Sequence, residues 1–417
     1  MRLRSRRIVT PLGVIAGEVE VADGAIVAVV ERGVTPGACD LGDRWLVPGF
    51  IDGHLHGGAG AQCNSSDPDE IAAVARFHAA HGTTSMLATM VAAPVGELVG
   101  ALRAVSRASS VDGGATVLGA HLEGPFLNPR RPGAMDAGSF VDCSGSVLAR
   151  LLDAGGVRMM TLAPELPGAL PLIAQLAGAG VIASLGHSEA SDAVVRRAVS
   201  AGARSVTHLF NAMGPLHHRA PGLAGAALDL SALSCELICD GLHVSAPVMR
   251  IAVRAAGTAR IRLVTDAMAG AGMPDGVYPL GSARVSVRGG RAVVVRRPGP
   301  SAGPSARGSG AQAAAEDSLA DTLAGSTLTM DAAVAGAVAM LGLGVGAGGG
   351  EGSAVAKAVA MASTNPAALL GVGARKGAIA VGMDADLAVL DEDLRAYATV
   401  ARGRWIYGPS GSSRQYE

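Results

Sequence analysis

Lysine is almost missing from this chain of 417 residues. Of its 34 Lys and Arg residues only Lys357 and Lys376 are lysines, and both lie beyond residue 350. Any chemistry that needs a lysine on a strand in the middle of the chain is therefore excluded. Cysteine is scarce as well. Cys39, Cys63, Cys143, Cys235 and Cys239 are odd in number and form no Cys-x-x-Cys step, which reads as reduced packing thiols of a cytoplasmic protein. Net charge is −1, so no general attraction to nucleic acid or to an anionic membrane is expected, and any anion must be held by local charge. Neither a secretion signal nor a membrane span is expected. The basic start Met1-Arg-Leu-Arg-Ser-Arg-Arg7 imitates a secretion signal, but Pro11 and Glu18 interrupt the apolar stretch that a signal needs next, so a first strand is expected. Ala332 to Gly350 is uncharged yet mostly Ala and Gly, which reads as a helix running into a loop rather than a membrane span.

The chain does carry ample apolar residue for a core. Hydrophobic residues make up 49% and charged residues 17%, which suits a soluble globular enzyme, and the length allows one large domain plus a smaller one. Both ends read as short strands. Gly17–Ala22 and Ala25–Val30 flank the turn Asp23-Gly24, and Gly377–Leu390 and Thr399–Tyr407 look similar. These groups suggest a small β-sandwich built from residues 1–46 plus 376–410. Between them, strand-like segments alternate with helical patterns such as Asp69–His81 and Ala190–Ala201. The candidate strands are Gly49–His54, Thr83–Met90, Val117–Glu123, Arg158–Ala163, Val181–His187, Ser205–Phe210, Glu236–Asp240 and Arg262–Asp266. Eight such strands argue for an α/β fold, a (β/α)8 TIM-like barrel over 47–375, with a doubly wound open sheet as the rival. The Pro-, Gly- and Ser-rich stretch 297–318 has few large apolar side chains and reads as a mobile insertion.

Residues two apart on a strand share one face and can grip one metal ion. The run Val47-Pro-Gly-Phe-Ile-Asp-Gly-His-Leu-His56 ends an apolar strand in such a pair, just before Gly57-Gly58. Other ligand-type residues fall at the C-terminal ends of later strands: Glu123, His187, His208, Asp240 with His243, and Asp266. In a barrel those ends converge on one mouth, where active sites sit. Glu123, His187 and His208 form a three-ligand set that leaves a position for water, and His54, His56 and Asp266 can complete a second, weaker one. Such donors suit zinc and also accept iron, manganese or cobalt, so one or two divalent ions per subunit are expected. Asp266, in the apolar run Leu263-Val-Thr-Asp-Ala-Met268, reads as a base for a water whose pKa the metal draws towards about 7.

Pro48–Gly57, His121-Leu-Glu-Gly-Pro-Phe126, Gly186-His-Ser188, Thr207-His-Leu-Phe-Asn-Ala-Met213, Pro221–Gly225, Asp240-Gly-Leu-His243, Val264-Thr-Asp-Ala267 and Leu323-Ala-Gly-Ser326 together resemble the N-acetylglucosamine-6-phosphate deacetylase family of the amidohydrolase superfamily. The resemblance spans roughly residues 45 to 392. It implies hydrolysis of the acetamide of N-acetylglucosamine 6-phosphate to glucosamine 6-phosphate and acetate, with a metal-activated water as nucleophile. It also implies Glu123, His187 and His208 as principal ligands and Asp266 as general acid/base. Substrate contacts are implied at Asn211, Ala212, Arg219, His243 and the turn Leu323-Ala324-Gly325. In this family the arginine and histidine handle the phosphate, one often reaching across a dimer interface, so a homodimer is expected. Arg219, in His217-His-Arg-Ala-Pro-Gly222, offers the bidentate donor that a phosphate needs.

Related cyclic amidases bridge their metals with a barrel lysine, which this chain lacks, leaving Glu123 as the bridge. One departure stands out: where the family carries Gly-x-His, this chain has Gly133-Ala134-Met135, and methionine offers no donor. The residues leave open a deacetylase of another N-acetylhexosamine phosphate, or a non-catalytic barrel that binds a sugar phosphate.

Overall fold

The computed structural model describes residues 1–32, 35–109, 111–295, 322–343 and 350–408, and the stretch 297–318 lies outside them. Eight parallel strands follow one another in chain order within one sheet. They are Phe50–Leu55, Thr83–Val91, Thr116–Glu123, Val157–Leu162, Ile182–Leu185, Ser205–Val206, Ser234–Ile238 and Ile261–Val264. A doubly wound sheet would reverse strand order at its centre, whereas uninterrupted chain order is what a barrel requires. The seam between the eighth and first strands is closed without a ladder among the described residues. Asp266 N–H donates to the His54 carbonyl at 2.9 Å, and Thr265 Oγ1 donates to Asp52 Oδ2 at 2.5 Å. Asp52 is fully buried, and burial pushes its carboxyl up to about 7 against the hydrogen bonds that Thr265 and His54 give it.

Helices cover the outside of the barrel, so its strands are apolar on both faces; all nine residues of Thr83–Val91 are buried. The helix Pro68–Ala79 shows how the sequence builds this layer. The Asp67 side chain accepts Asp69 N–H at 2.9 Å, Pro68 fills a first-turn position whose N–H would have no partner, and Ile71, Val74, Ala75, His78 and Ala79 bury one stripe.

A second sheet draws strands from both chain ends. Its order is Arg404–Tyr407, Ala396–Ala401, Leu387–Leu390, Trp45–Pro48, Arg2–Thr10, Gly13–Ala22 and Ala25–Glu31, with Cys39–Asp40 against Arg2–Thr10. It has its own core, in which Leu3, Ile8, Val19, Leu46, Leu387, Val389 and Val400 are buried together. No helix of the described residues is long and apolar enough to cross a membrane.

Two differences from the sequence reading bear on the site. The fifth, sixth and eighth strands stop at Leu185, Val206 and Val264, two residues before His187, His208 and Asp266. Those three residues instead adopt positive φ, at 49°, 28° and 51°, in the left-handed region that side chains seldom occupy. The second difference is a three-stranded antiparallel sheet, Gly276–Leu280, Ala283–Arg288 and Arg291–Val294, after the last barrel strand. Its alternating Val285, Ser286 and Val287 and its Gly289-Gly290 turn are the only local signals of it that the sequence carries.

Candidate metal centre

Six side chains meet at the C-terminal mouth of the barrel. His54 is carried by the first strand and His56 comes directly after it. Glu123 ends the third strand, and His187, His208 and Asp266 sit in the turns after the fifth, sixth and eighth. Gly57, next to His56, permits this crowding. A Cβ there would meet the carbonyl of Ala61 at 2.4 Å and the Ala269 nitrogen at 2.9 Å. His56 and Gly57 both donate backbone N–H to the Ala267 carbonyl, at 2.7 and 2.9 Å, which ties the first strand's end to the residue after Asp266.

The six form two touching groups. Glu123 Oε1 lies 3.0 Å from His187 Nε2 and 2.8 Å from His208 Nε2, and those nitrogens are 3.2 Å apart. In the other group His56 Nε2 lies 3.0 Å from Asp266 Oδ1 and 3.2 Å from His54 Nε2. Glu123 spans both, because its Oε2 is 3.3 Å from His56 Nε2. Each group has the spacing and donor types to hold one ion.

The far sides of the imidazoles show that a cation fits here. His187 Nδ1–H donates to the Arg131 carbonyl at 2.8 Å, His56 Nδ1–H to the Thr89 carbonyl at 3.2 Å, and His54 Nδ1–H to Glu236 at 2.9 Å. With Nδ1 protonated, a neutral ring presents its Nε2 lone pair to the mouth. Lone pairs and two carboxylates then converge on buried points, an arrangement that calls for positive charge. Burial opposes a proton on His56, yet Asp266 and Glu123 outweigh it and hold the ring up to about 9. Burial likewise opposes the charge on Glu123 and Asp266, but the histidines hold both carboxyls below their ordinary range.

The centre opens into a cleft lined by His56, Glu123, Ala134, Met135, His187, His208, Asn211, Ala212, His243, Asp266, Leu323 and Gly325. His54 lies beneath it at 0% exposure, Ala324 is buried behind it, and Arg219 is exposed on the loop 215–220, outside the cleft of its own chain. His243 Nδ1 sits 2.7 Å from Asp240 Oδ2. Burial disfavours charge on both, but the contact raises the imidazole and lowers the carboxyl, and it leaves His243 Nε2 free to face a ligand.

Met135 has its sulfur engaged with the Ala92 N–H at 3.4 Å and packs against the apolar cluster that includes Val91, Met268 and Leu280. Reading the sequence missed Val91, Leu280 and Thr322 of the cleft wall, and Glu236 behind His54. A single charge inside the apolar run Cys235-Glu-Leu-Ile238 was the signal for the last.

A parallel barrel whose strand ends gather four histidines and two carboxylates defines the class of metal-dependent barrel hydrolases. Residues 45–409 match the model of the Amidohydrolase family, and residues 3–40 match the allantoinase composite domain. The chain is 35% identical to N-acetylglucosamine-6-phosphate deacetylase of Bacillus subtilis (strain 168), over 93% of this chain and 92% of that protein. It is 36% identical to N-acetylgalactosamine-6-phosphate deacetylase of Escherichia coli O157:H7, over 98% and 99%. A mutant N-acetyl-D-glucosamine-6-phosphate deacetylase of Mycobacterium smegmatis, solved in complex with N-acetyl-D-glucosamine-6-phosphate, superposes with a TM-score of 0.85 at 38% identity, covering 97% of this chain and 99% of that one. The chain belongs to the amidohydrolase family and, within it, to the N-acetylglucosamine-6-phosphate deacetylases.

Proposed function

We propose that the protein hydrolyses the acetamide of N-acetylglucosamine 6-phosphate, giving glucosamine 6-phosphate and acetate. The observation that carries this reading is the placement of the Asp266 carboxylate within the ligand group of His54 and His56, 3.0 Å from His56, in a cleft that also holds His243 paired with Asp240. A binding module has no need of a poised carboxylate there.

Glu123, His187 and His208 are the principal ligands of a divalent ion, zinc by donor type, and His54, His56 and Asp266 offer a second position. When bound, the ion supplies a Lewis acid for the amide carbonyl and lowers the pKa of the attacking water. The Asp266 carboxylate takes the proton of that water and returns it to the departing amine nitrogen, which leaves as the free amine of the sugar. Asn211 and His243 orient the sugar phosphate from the polar side of the cleft, and the backbone at Leu323–Gly325 flanks it. Met135 donates nothing to the substrate and serves as apolar wall.

Arg219 lies outside its own cleft, which fits a homodimer in which it meets the phosphate bound by a second copy. The galactosamine epimer is the second reading, because the relative named for it is as similar as the relatives named for the glucosamine sugar. The test is acetate release from both phosphorylated epimers and from unphosphorylated N-acetylglucosamine, with metal restored. Release that needs metal and phosphate is expected, and the faster epimer identifies the sugar. No release from any of them by metal-loaded protein would overturn the reading.

A further inference from the structure

Behind the metal centre lies a carboxylate that the proposed hydrolysis does not use. Glu236, on the seventh barrel strand, is 0% exposed. Its Oε2 accepts His54 Nδ1–H at 2.9 Å and the backbone N–H of His208 at 3.1 Å. Its Oε1 faces Arg262 Nη1 at 3.5 Å. Arg262, on the neighbouring eighth strand, is itself 1% exposed, and donates from Nε to Ser234 Oγ at 2.8 Å and from Nη2 to Ser205 Oγ. One carboxylate therefore touches both ligand groups: the ring of His54 in one, and in the other the backbone at which His208 turns to a positive φ of 28°.

A buried ion pair is an unfavourable choice for stability alone, since apolar side chains of equal volume avoid its desolvation. A carboxylate on the far nitrogen of a ligating imidazole, by contrast, fixes the tautomer, aims the ring and raises its basicity. His54, His121 and Glu236 are close enough to suggest a further ion between them. Such an ion would require His54 to ligate through both nitrogens, whereas a hydrogen bond from Nδ1 leaves Nε2 free for the mouth.

We propose that Glu236, paired with Arg262, is a positioning residue that joins the two halves of the metal centre, aiming His54 by its side chain and His208 by its backbone. The proposal rests on the metal-centre reading and not on the choice of substrate.

The experiment is titration of metal-free protein with Co2+, followed by calorimetry and by the visible spectrum of the bound ion. Glu236→Gln, nearly isosteric, is expected to weaken Co2+ binding about 10- to 100-fold and to alter the spectrum. The double variant Glu236→Gln/Arg262→Met removes both charges, so the metal-free protein is expected to melt like the wild type while still binding Co2+ about 10- to 100-fold more weakly. Wild-type affinity and spectrum in either variant would overturn the proposal and leave the pair a matter of packing. Because the readout is metal affinity rather than acetate release, an error in the substrate assignment is separable from an error here.

Discussion

Replacing His78 by glutamine should change how the fold responds to acid. His78 lies on the helix Pro68–Ala79, is 0% exposed, and donates from Nε2 to the Gly57 carbonyl at 3.0 Å, one residue beyond His56. Its Nδ1 has no partner among the described residues. Burial pushes the imidazole down from 6.5 to about 4, only partly opposed by the Gly57 hydrogen bond. The folded protein therefore binds fewer protons here than the unfolded chain between those values. Stability is lost as pH falls below about 6.5, and the loss is complete below about 4. A gap of roughly two and a half pH units corresponds to about 3 kcal/mol in full, and to about 2 kcal/mol already at pH 5. Glutamine keeps a donor for Gly57 and cannot titrate. His78→Gln should be less stable than wild type at pH 8, by about 1 to 2 kcal/mol from lost packing, and the difference should shrink or reverse by pH 5. Urea unfolding of both proteins at pH 8, 6 and 5 measures this, and the metal-centre groups common to both cancel in the comparison. Parallel stability profiles would refute the argument, as would a gap that widens in acid.

Asp266→Asn should lower the turnover number for acetate release about 10²- to 10⁴-fold while Co2+ still binds at Glu123, His187 and His208; loss of all metal binding would make Asp266 a ligand first and a base second. The His56 imidazole, held up to about 9 without metal, is protonated at pH 7, so a cation must displace that proton. Apparent metal affinity should weaken about tenfold per pH unit for each proton displaced as pH falls below about 9. Calorimetry in buffers of different ionisation enthalpy detects the released proton, and buffer-independent heats would contradict it. Arg219→Ala should raise KM about 10- to 100-fold for the phosphorylated sugar and leave the unphosphorylated sugar unaffected. Equal effects on both in steady-state kinetics would place Arg219 outside phosphate recognition.

The barrel was legible because its strands are buried on both faces and so appear as apolar runs, several of them followed closely by a ligand-type residue. His54 and His56 announced a shared ligand face through the two-residue period alone. Where the fifth, sixth and eighth strands stop was not legible. His187, His208 and Asp266 take left-handed backbone in the turns at the mouth, a conformation that local sequence preference disfavours for a side chain. The sheet Gly276–Val294 escaped notice because its strands are short and half-exposed, so its alternation is weak, yet it contributes to the apolar cluster on which Met135 packs and lines the cleft through Leu280. Arg219 showed the right chemistry for a phosphate but not its position, which is set by a loop with few buried contacts.

The ligand inventory and its order along the chain follow from residue type, which dictates what can hold a cation, and from strand period, which dictates which residues share a face. That Glu123 touches both ligand groups, and that Glu236 stands behind His54, 182 residues away in the chain, is set by the folded barrel alone. Barrel closure brings the first, third and seventh strands together around one axis, and distances across that axis appear in no local pattern.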